Sequence, residues 1–153
     1  SLFLDEIGDM TTLMQTKVLR ALENGEIQKI GSSALEKVDV RILSATNKDL
    51  KKEIEEKKFR EDLYHRLAVI LIEVPSLNER REDIPLLIDY FSEKISAEHG
   101  TSKKEFTEEA LNTLKSYDWR GNIRELRNVV ERLIILGGDK ITEEDVNLFG
   151  SKF

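Results

Sequence analysis

Along the first 75 residues, short apolar runs alternate with amphipathic stretches. Leu2–Leu4 reads as a buried strand that ends in Asp5 and Glu6. In "MTTLMQTKVLRALENGE", residues Leu13, Thr16, Val18, Leu19 and Leu22 fall near helical spacing, with Thr11 or Thr12 as cap and Gly25 as stop. "EIQKIGSSALEKVDV" predicts a hairpin turning at Gly31–Ser33. "DVRILSATN" predicts a strand buried on both faces through Val40, Ile42, Leu43 and Ala45. "KDLKKEIEEKKF" predicts a charged helix with Leu50 and Ile54 inward. "AVILIEV" predicts a β-branched strand that stops at Pro75, which has no N–H to give a ladder. Strands separated by helices predict an α/β layer: a mostly parallel sheet with flanking helices.

Beyond Pro75 the period becomes helical. "SLNERREDIPLLIDYFSEKISAEHG" puts Ile84, Leu87, Ile88, Phe91 and Ile95 on one face, with Pro85 confined to a first turn and Gly100 as the end. "FTEEALNTLKSY" starts from Thr107 as N-cap, with Glu108 and Glu109 at the positive end of the helix dipole. "GNIRELRNVVERLIIL" aligns Ile123, Leu126, Val130, Leu133 and Ile134, and Gly137–Gly138 closes it; "TEEDVNLF" predicts a short last helix. The chain is therefore expected to hold an α/β unit over residues 1–75 and an all-helical unit over residues 76–153.

Composition narrows the functions open to it. At 153 residues and 39% hydrophobic, the chain has apolar content for one respectable core or two small ones. A net charge of −6 gives no general pull toward nucleic acid or anionic membrane. The absence of cysteine excludes disulfides and thiolate metal sites and fits a cytoplasmic protein. His65 and His99 lie far apart without ligand-spaced neighbours, and no apolar run approaches the ~20 residues of a membrane span. The opening "SLFLDEIG" enters a strand with no preceding turn or Met, as expected of a chain cut from something larger.

Candidate chemistry gathers at strand ends. Asp5 and Glu6 end the first apolar run, at the carboxyl edge where α/β proteins place ligands. There an aspartate can help hold Mg²⁺ on phosphates and a glutamate can polarise an attacking water; equally, "DE" can simply open a solvated loop. Thr46 and Asn47 end the second run, where they can hydrogen-bond a phosphate or cap the helix that follows. In "FREDLYHRL", Phe59, Leu63 and Leu67 can anchor a helix, leaving Arg60 and Arg66 on other faces. Those arginines can pair with Glu56 and Asp62 four residues upstream, or one can reach outside the chain.

Taken in order, "LFLDEIGDM", "QTKVLRALENGE", "DVRILSATNKDL", "FREDLYHRLAVILIEVPSLNERREDIPLL" and "WRGNIRELRNVVER" strongly resemble the sigma-54-dependent activators, the nitrogen-regulation type of bacterial enhancer-binding AAA+ ATPases. The resemblance covers nearly the whole chain and implies the later part of a P-loop AAA+ core followed by its helical lid. It implies that Asp5 and Glu6 are the Walker B pair, contacting Mg²⁺-bound water and activating water. Thr46 and Asn47 correspond to the first sensor of the γ-phosphate. Arg66 corresponds to an arginine finger given to the neighbouring subunit's nucleotide, and Arg60 to a second trans-acting arginine. Arg124 in "GNIRELRN" corresponds to the second sensor, in the lid. The hairpin before "DVRILSATN" corresponds to an insertion that passes nucleotide state toward the sigma-factor contact loop. ATP and Mg²⁺ follow as cofactors of the intact domain. The implied partners are sigma-54 RNA polymerase, a homo-oligomeric ring, and enhancer DNA through a separate C-terminal domain.

The chain departs from the family at Arg120, where proline usually precedes Gly-Asn, and at "PSLNERR" in place of "PPLRER". Loss of that proline is expected to loosen the turn into the Arg124 helix. The sequence holds no G-x-x-x-x-G-K-[ST] and no "GAFTGA" loop, nor a receiver domain or a helix-turn-helix of the family's kind. It is thus expected to be half of an ATPase module, inactive in ATP hydrolysis by itself, with an exposed sheet edge that favours self-association. Two other classes stay open on residues alone: a different AAA+ remodelling enzyme, and a non-enzymatic DNA-binding or interaction module built on the last helices.

Overall fold

The computed structural model describes residues 1–29, 31, 32 and 34–150. The chain divides into two compact units, Ser1–Ile72 and Glu73–Phe153.

In the first unit, β1 (Leu2–Leu4) leads through a 3₁₀ turn, Ile7–Asp9, into helix α1 (Thr12–Asn24). Thr11 caps α1 by accepting the Met14 N–H, and Gly25 ends it with φ 65°, a left-handed conformation that glycine adopts without steric cost. Strands β2 (Glu26–Gln28) and β3 (Leu35–Lys37) form an antiparallel hairpin with Ile27 opposite Glu36. Of its expected turn, Gly31 has φ 81°, while Ser33 lies outside the described residues. Strand β4 (Ile42–Ser44) pairs in parallel with β1, Leu4 opposite Ser44. Helices α2 (Leu50–Glu55) and α3 (Glu61–Leu67) complete the unit. Its core is small: Ile7, Leu19, Phe59 and Leu63 are buried, with Leu50, Ile54 and Leu67 packed at their margin.

Two expectations are corrected here. The β4 strand is not buried on both faces: Leu43 is 44% exposed and Val40, just before it, 48%. The expected strand at "AVILIEV" is not formed. Residues 71–76 run without a ladder, and Val69, Ile70, Leu71, Ile72 and Val74 are all at least 70% exposed. β-Branched residues favour a strand only where a neighbour supplies the ladder. Here β1 and β4 pair with each other, and no described strand pairs with this run.

The second unit opens with a capped 3₁₀ turn, Leu77–Glu79, in which Ser76 and Glu79 exchange hydrogen bonds as a capping box. A further 3₁₀ turn, Arg81–Asp83, feeds α4 (Ile84–His99), with Pro85 in its first turn and Gly100 (φ 67°) at its end. Then come β5 (Glu105–Phe106), α5 (Glu108–Ser116), α6 (Asn122–Leu136), β6 (Lys140–Ile141) and α7 (Glu143–Phe149). The unit is helical except for the two-residue parallel ladder of β5 and β6, which the helical period did not foretell. Ile84, Ile88, Phe91 and Ile95 meet Leu126, Val130, Leu133 and Ile134 in one core, closed below by Ala110, Leu114, Trp119, Ile141 and Val146. The Trp119 indole N–H donates to the Leu114 carbonyl at 2.9 Å, so its burial leaves no polar atom unpaired.

Candidate functional site

Parallel pairing brings the two polar strand ends to the same edge of the sheet. The ladder continues past both strands: Ala45 N–H donates to Leu4 O at 2.9 Å and Ile7 N–H to Ala45 O at 3.1 Å. Asp5 and Glu6 therefore stand beside Thr46 and Asn47. Glu6 carries φ 52° and ψ 41°, a left-handed backbone that costs a non-glycine residue about 1–2 kcal/mol. Its own N–H donates to Asp5 Oδ1 at 3.0 Å. Both acidic side chains are exposed. Strain held at an acidic strand end is the kind found where a side chain must be aimed.

On the facing strand end, the Thr46 hydroxyl accepts the Lys48 N–H at 3.2 Å and is half-buried, while Asn47 is exposed. The residues around this edge were not singled out by the sequence. The Lys48 ammonium lies 2.6 Å from Asp9 Oδ1 and donates to the Gly8 carbonyl at 3.3 Å. The hydrogen bond to Asp9 is the main reason its pKa is raised above the usual lysine value. Gly8 is buried, and a Cβ there would lie 2.7 Å from Thr46 Oγ1.

The two arginines take different positions. Arg60 is not on a helix face but caps the start of α3, and its guanidinium grips Asp62 through two hydrogen bonds of 2.9 and 2.6 Å. That fork holds the Asp62 carboxyl below its ordinary pKa. Of the two readings the sequence left open, the pairs at four-residue spacing are not formed among the described residues. Glu56 pairs instead with Lys58 at 2.6 Å, because α2 ends at Glu55 and the chain reverses through Lys57 at φ 58°. Arg66 is exposed on the last turn of α3 and has no ion pair among the described residues.

One buried polar side chain ties these segments together. Gln15 is fully buried; its amide donates to Met10 O at 2.8 Å and Lys58 O at 2.9 Å, and its carbonyl accepts the Arg60 N–H at 2.9 Å. It links the turn after the acid pair to the chain entering the arginine helix. Only its place in a run of helical period marked it in the sequence, and there it read as one more polar position.

Arg124 belongs to the second unit, exposed in the first turn of α6. The turn before it is fixed without the expected proline. Gly121 N–H donates to Glu125 Oε2 at 2.9 Å, Asn122 N–H to Trp119 O at 3.1 Å, and the Asn122 side chain accepts the Leu77 N–H at 2.8 Å. Asn122 holds φ 53°, which its short amide tolerates. Arg120 stands clear of this network, paired with Asp118 at 2.9 Å.

No group of three or more metal-ligating side chains occurs among the described residues, and none of their helices is long and apolar enough to cross a membrane.

A parallel strand pair with acidic and polar ends, followed along the chain by a helical unit, puts this protein among α/β proteins that set polar groups at strand carboxyl ends. Residues 1–73 match the Sigma-54 interaction domain and residues 78–148 the AAA+ ATPase lid domain. The chain belongs to the family of sigma-54-dependent activators. Among curated relatives, the transcriptional regulatory protein ZraR of Escherichia coli K12 is 48% identical over 97% of this chain and 34% of its own length. The nitrogen assimilation regulatory protein NtrX of Azorhizobium caulinodans is 53% identical over 94% of this chain and 32% of its own. Crystal structures of NtrX from Brucella abortus superpose with TM-scores of 0.89 for the ADP complex and 0.85 for the ATP complex. They are 41% and 44% identical, over 97% and 88% of this chain and 35% and 32% of theirs. The chain thus spans about a third of the length of the relatives it matches.

Proposed function

We propose that this chain carries the Walker B, first-sensor and arginine-donating parts of an ATPase module that couples ATP hydrolysis to remodelling of sigma-54 RNA polymerase. The observation that carries the reading is the shared edge of β1 and β4, which sets a strained Glu6 and its neighbour Asp5 beside Thr46 and Asn47. In this reading Asp5 faces the metal, Glu6 orients and deprotonates the attacking water, and Thr46 and Asn47 contact the γ-phosphate. Mg²⁺ supplies neutralisation of the phosphate oxygens, and one exposed carboxylate suits it, since that ion keeps several waters and takes few protein ligands. Arg66, with no ion pair among the described residues, is the arginine donated to a neighbouring subunit in a homo-oligomeric ring. Its permanently charged fork can bridge two phosphate oxygens, which a lysine cannot. Arg60, already engaged by Asp62, is a second trans arginine that must first release that carboxylate. Arg124 reads the nucleotide from the lid, residues 76–153, and residues 1–75 form the core side.

The nucleotides named with the Brucella abortus structures support a nucleotide as ligand here. The family match supports extending the reading to cytoplasmic transcription activation of the response-regulator type seen in two-component systems, with enhancer DNA bound through a separate domain. The phosphate loop and the sigma-54 contact loop are not in these 153 residues, so this chain alone does not turn over ATP.

The test is mutational. In the full-length protein, Arg66→Ala lowers ATP turnover by roughly 10³-fold or more, and Glu6→Gln abolishes it while nucleotide binding persists. Normal turnover in the Arg66→Ala protein refutes the trans role. Substantial hydrolysis by the 153-residue chain, lost on Glu6→Gln, refutes its inactivity.

A further inference from the structure

The loop after β1 and the loop after β4 are joined by contacts that the proposed chemistry does not use. Gly8 is buried against Thr46 so closely that a Cβ would meet the hydroxyl at 2.7 Å and the Lys48 stem at 3.1 and 3.2 Å. Lys48 then closes over this contact: its ammonium donates to Gly8 O at 3.3 Å and pairs with Asp9 at 2.6 Å, with Glu53 at 3.9 Å beyond. The strained Glu6 opens the same 3₁₀ turn that Gly8 and Asp9 complete.

We infer that Lys48 is a positioning residue: with Gly8 and Asp9 it clasps the turn carrying Glu6 against the loop carrying Thr46 and Asn47, and so fixes the spacing across which a γ-phosphate and its water are held. This rests on the ATPase reading above. Neither Lys48 nor Asp9 touches the nucleotide in it. They act by pre-setting two groups that do, and small misplacements of such groups carry large rate penalties. The lysine is held by two groups of one turn, the Asp9 carboxylate and the Gly8 carbonyl. Loss of its charge therefore frees the β4 loop without removing a core side chain.

Two measurements on the full-length protein test it. Lys48→Met lowers kcat for ATP about tenfold and narrows the ratio of ATP to ADP affinity, with ADP binding changed less than about twofold; Lys48→Arg restores most of the rate. Gly8→Ala, which keeps the lysine's charge but presses on both the Thr46 hydroxyl and the Lys48 stem, gives the same split. A parallel fall in ATP and ADP affinity, or unchanged turnover in Lys48→Met, overturns the clasp. Amide hydrogen exchange without nucleotide reads it independently of catalysis. Ile7 and Lys48 exchange about tenfold faster in Lys48→Met and as in the native chain in Lys48→Arg. Equal exchange in native and Lys48→Met proteins overturns the clasp, even if the native protein neither binds nor hydrolyses ATP. That last result would refute the ATPase reading alone.

Discussion

The two units of this chain solve the folding problem to different extents. Among its described residues the Glu73–Phe153 unit buries fifteen hydrophobic side chains in one contiguous core, with Leu114, Trp119, Leu126 and Leu133 at 0–1% exposure. The Ser1–Ile72 unit buries four among its described residues, and leaves Phe3, Leu13, Leu35, Val69, Ile70, Leu71 and Ile72 more than 60% exposed. Yet the smaller core carries nearly all of the candidate chemistry. Stability and function are thus placed apart: the helical unit holds the larger core, with Val74, Leu86 and Leu148 left exposed on it, while the α/β unit offers strand edges and a longer set of exposed apolar side chains.

The strongest way to break this comparison is to separate the units. Residues 73–153 alone are expected to unfold cooperatively and to sediment as a monomer. Residues 1–72 alone are expected to show no cooperative transition, and the 153-residue chain to self-associate through its first unit. Circular dichroism melts and sedimentation velocity check this, and a monomeric 153-residue chain at high concentration contradicts it. Next in size, Trp119→Ala is expected to cost the helical unit about 3–5 kcal/mol in urea unfolding, since it opens a large cavity and leaves the Leu114 carbonyl only the longer bond from Tyr117 N–H. Equal destabilisation by Leu63→Ala would erase the contrast between the cores.

Gln15→Leu is expected to cost the first unit roughly 1–3 kcal/mol, removing the partner of three part-buried backbone groups. Its loss should register as faster amide exchange at Arg60. The smallest effect is on pH dependence. The Glu79 carboxyl lies below its ordinary pKa because the Ser76 hydroxyl and N–H donate to it, and Asp62 lies low because of Arg60. A depressed folded pKa means that the stabilisation is present above the ordinary carboxylate range and is lost as pH falls through the folded value. Acid titration of unfolding is therefore expected to weaken both units, with Glu79→Gln flattening the slope in the helical unit only.

Much of the helical unit was legible in the sequence. Thr107, Thr142, Gly100 and Pro85 act within one turn of where they stand, and the four-residue period of α4 and α6 names its own buried face. The strand ends of the candidate site were legible as residue types, Asp5 and Glu6, Thr46 and Asn47, because carboxyl edges follow apolar runs. What escaped was non-local. The Arg60–Asp62 fork depends on where α3 begins, and the Gln15 bonds span 43 and 45 residues to Lys58 and Arg60.

By itself the sequence determined most of the helices, several of their caps and the family, since these are written in local period and in motif order. Only the tertiary structure decided which polar groups meet. Lys48 reaches Gly8 forty residues away, Glu6 takes a left-handed backbone, and the β-branched run at 69–74 stays without a ladder. The physical reason is the same in each case. A helix satisfies its backbone from within, whereas a strand, a clasp or a buried amide is completed only by a partner that the chain's path must bring to it.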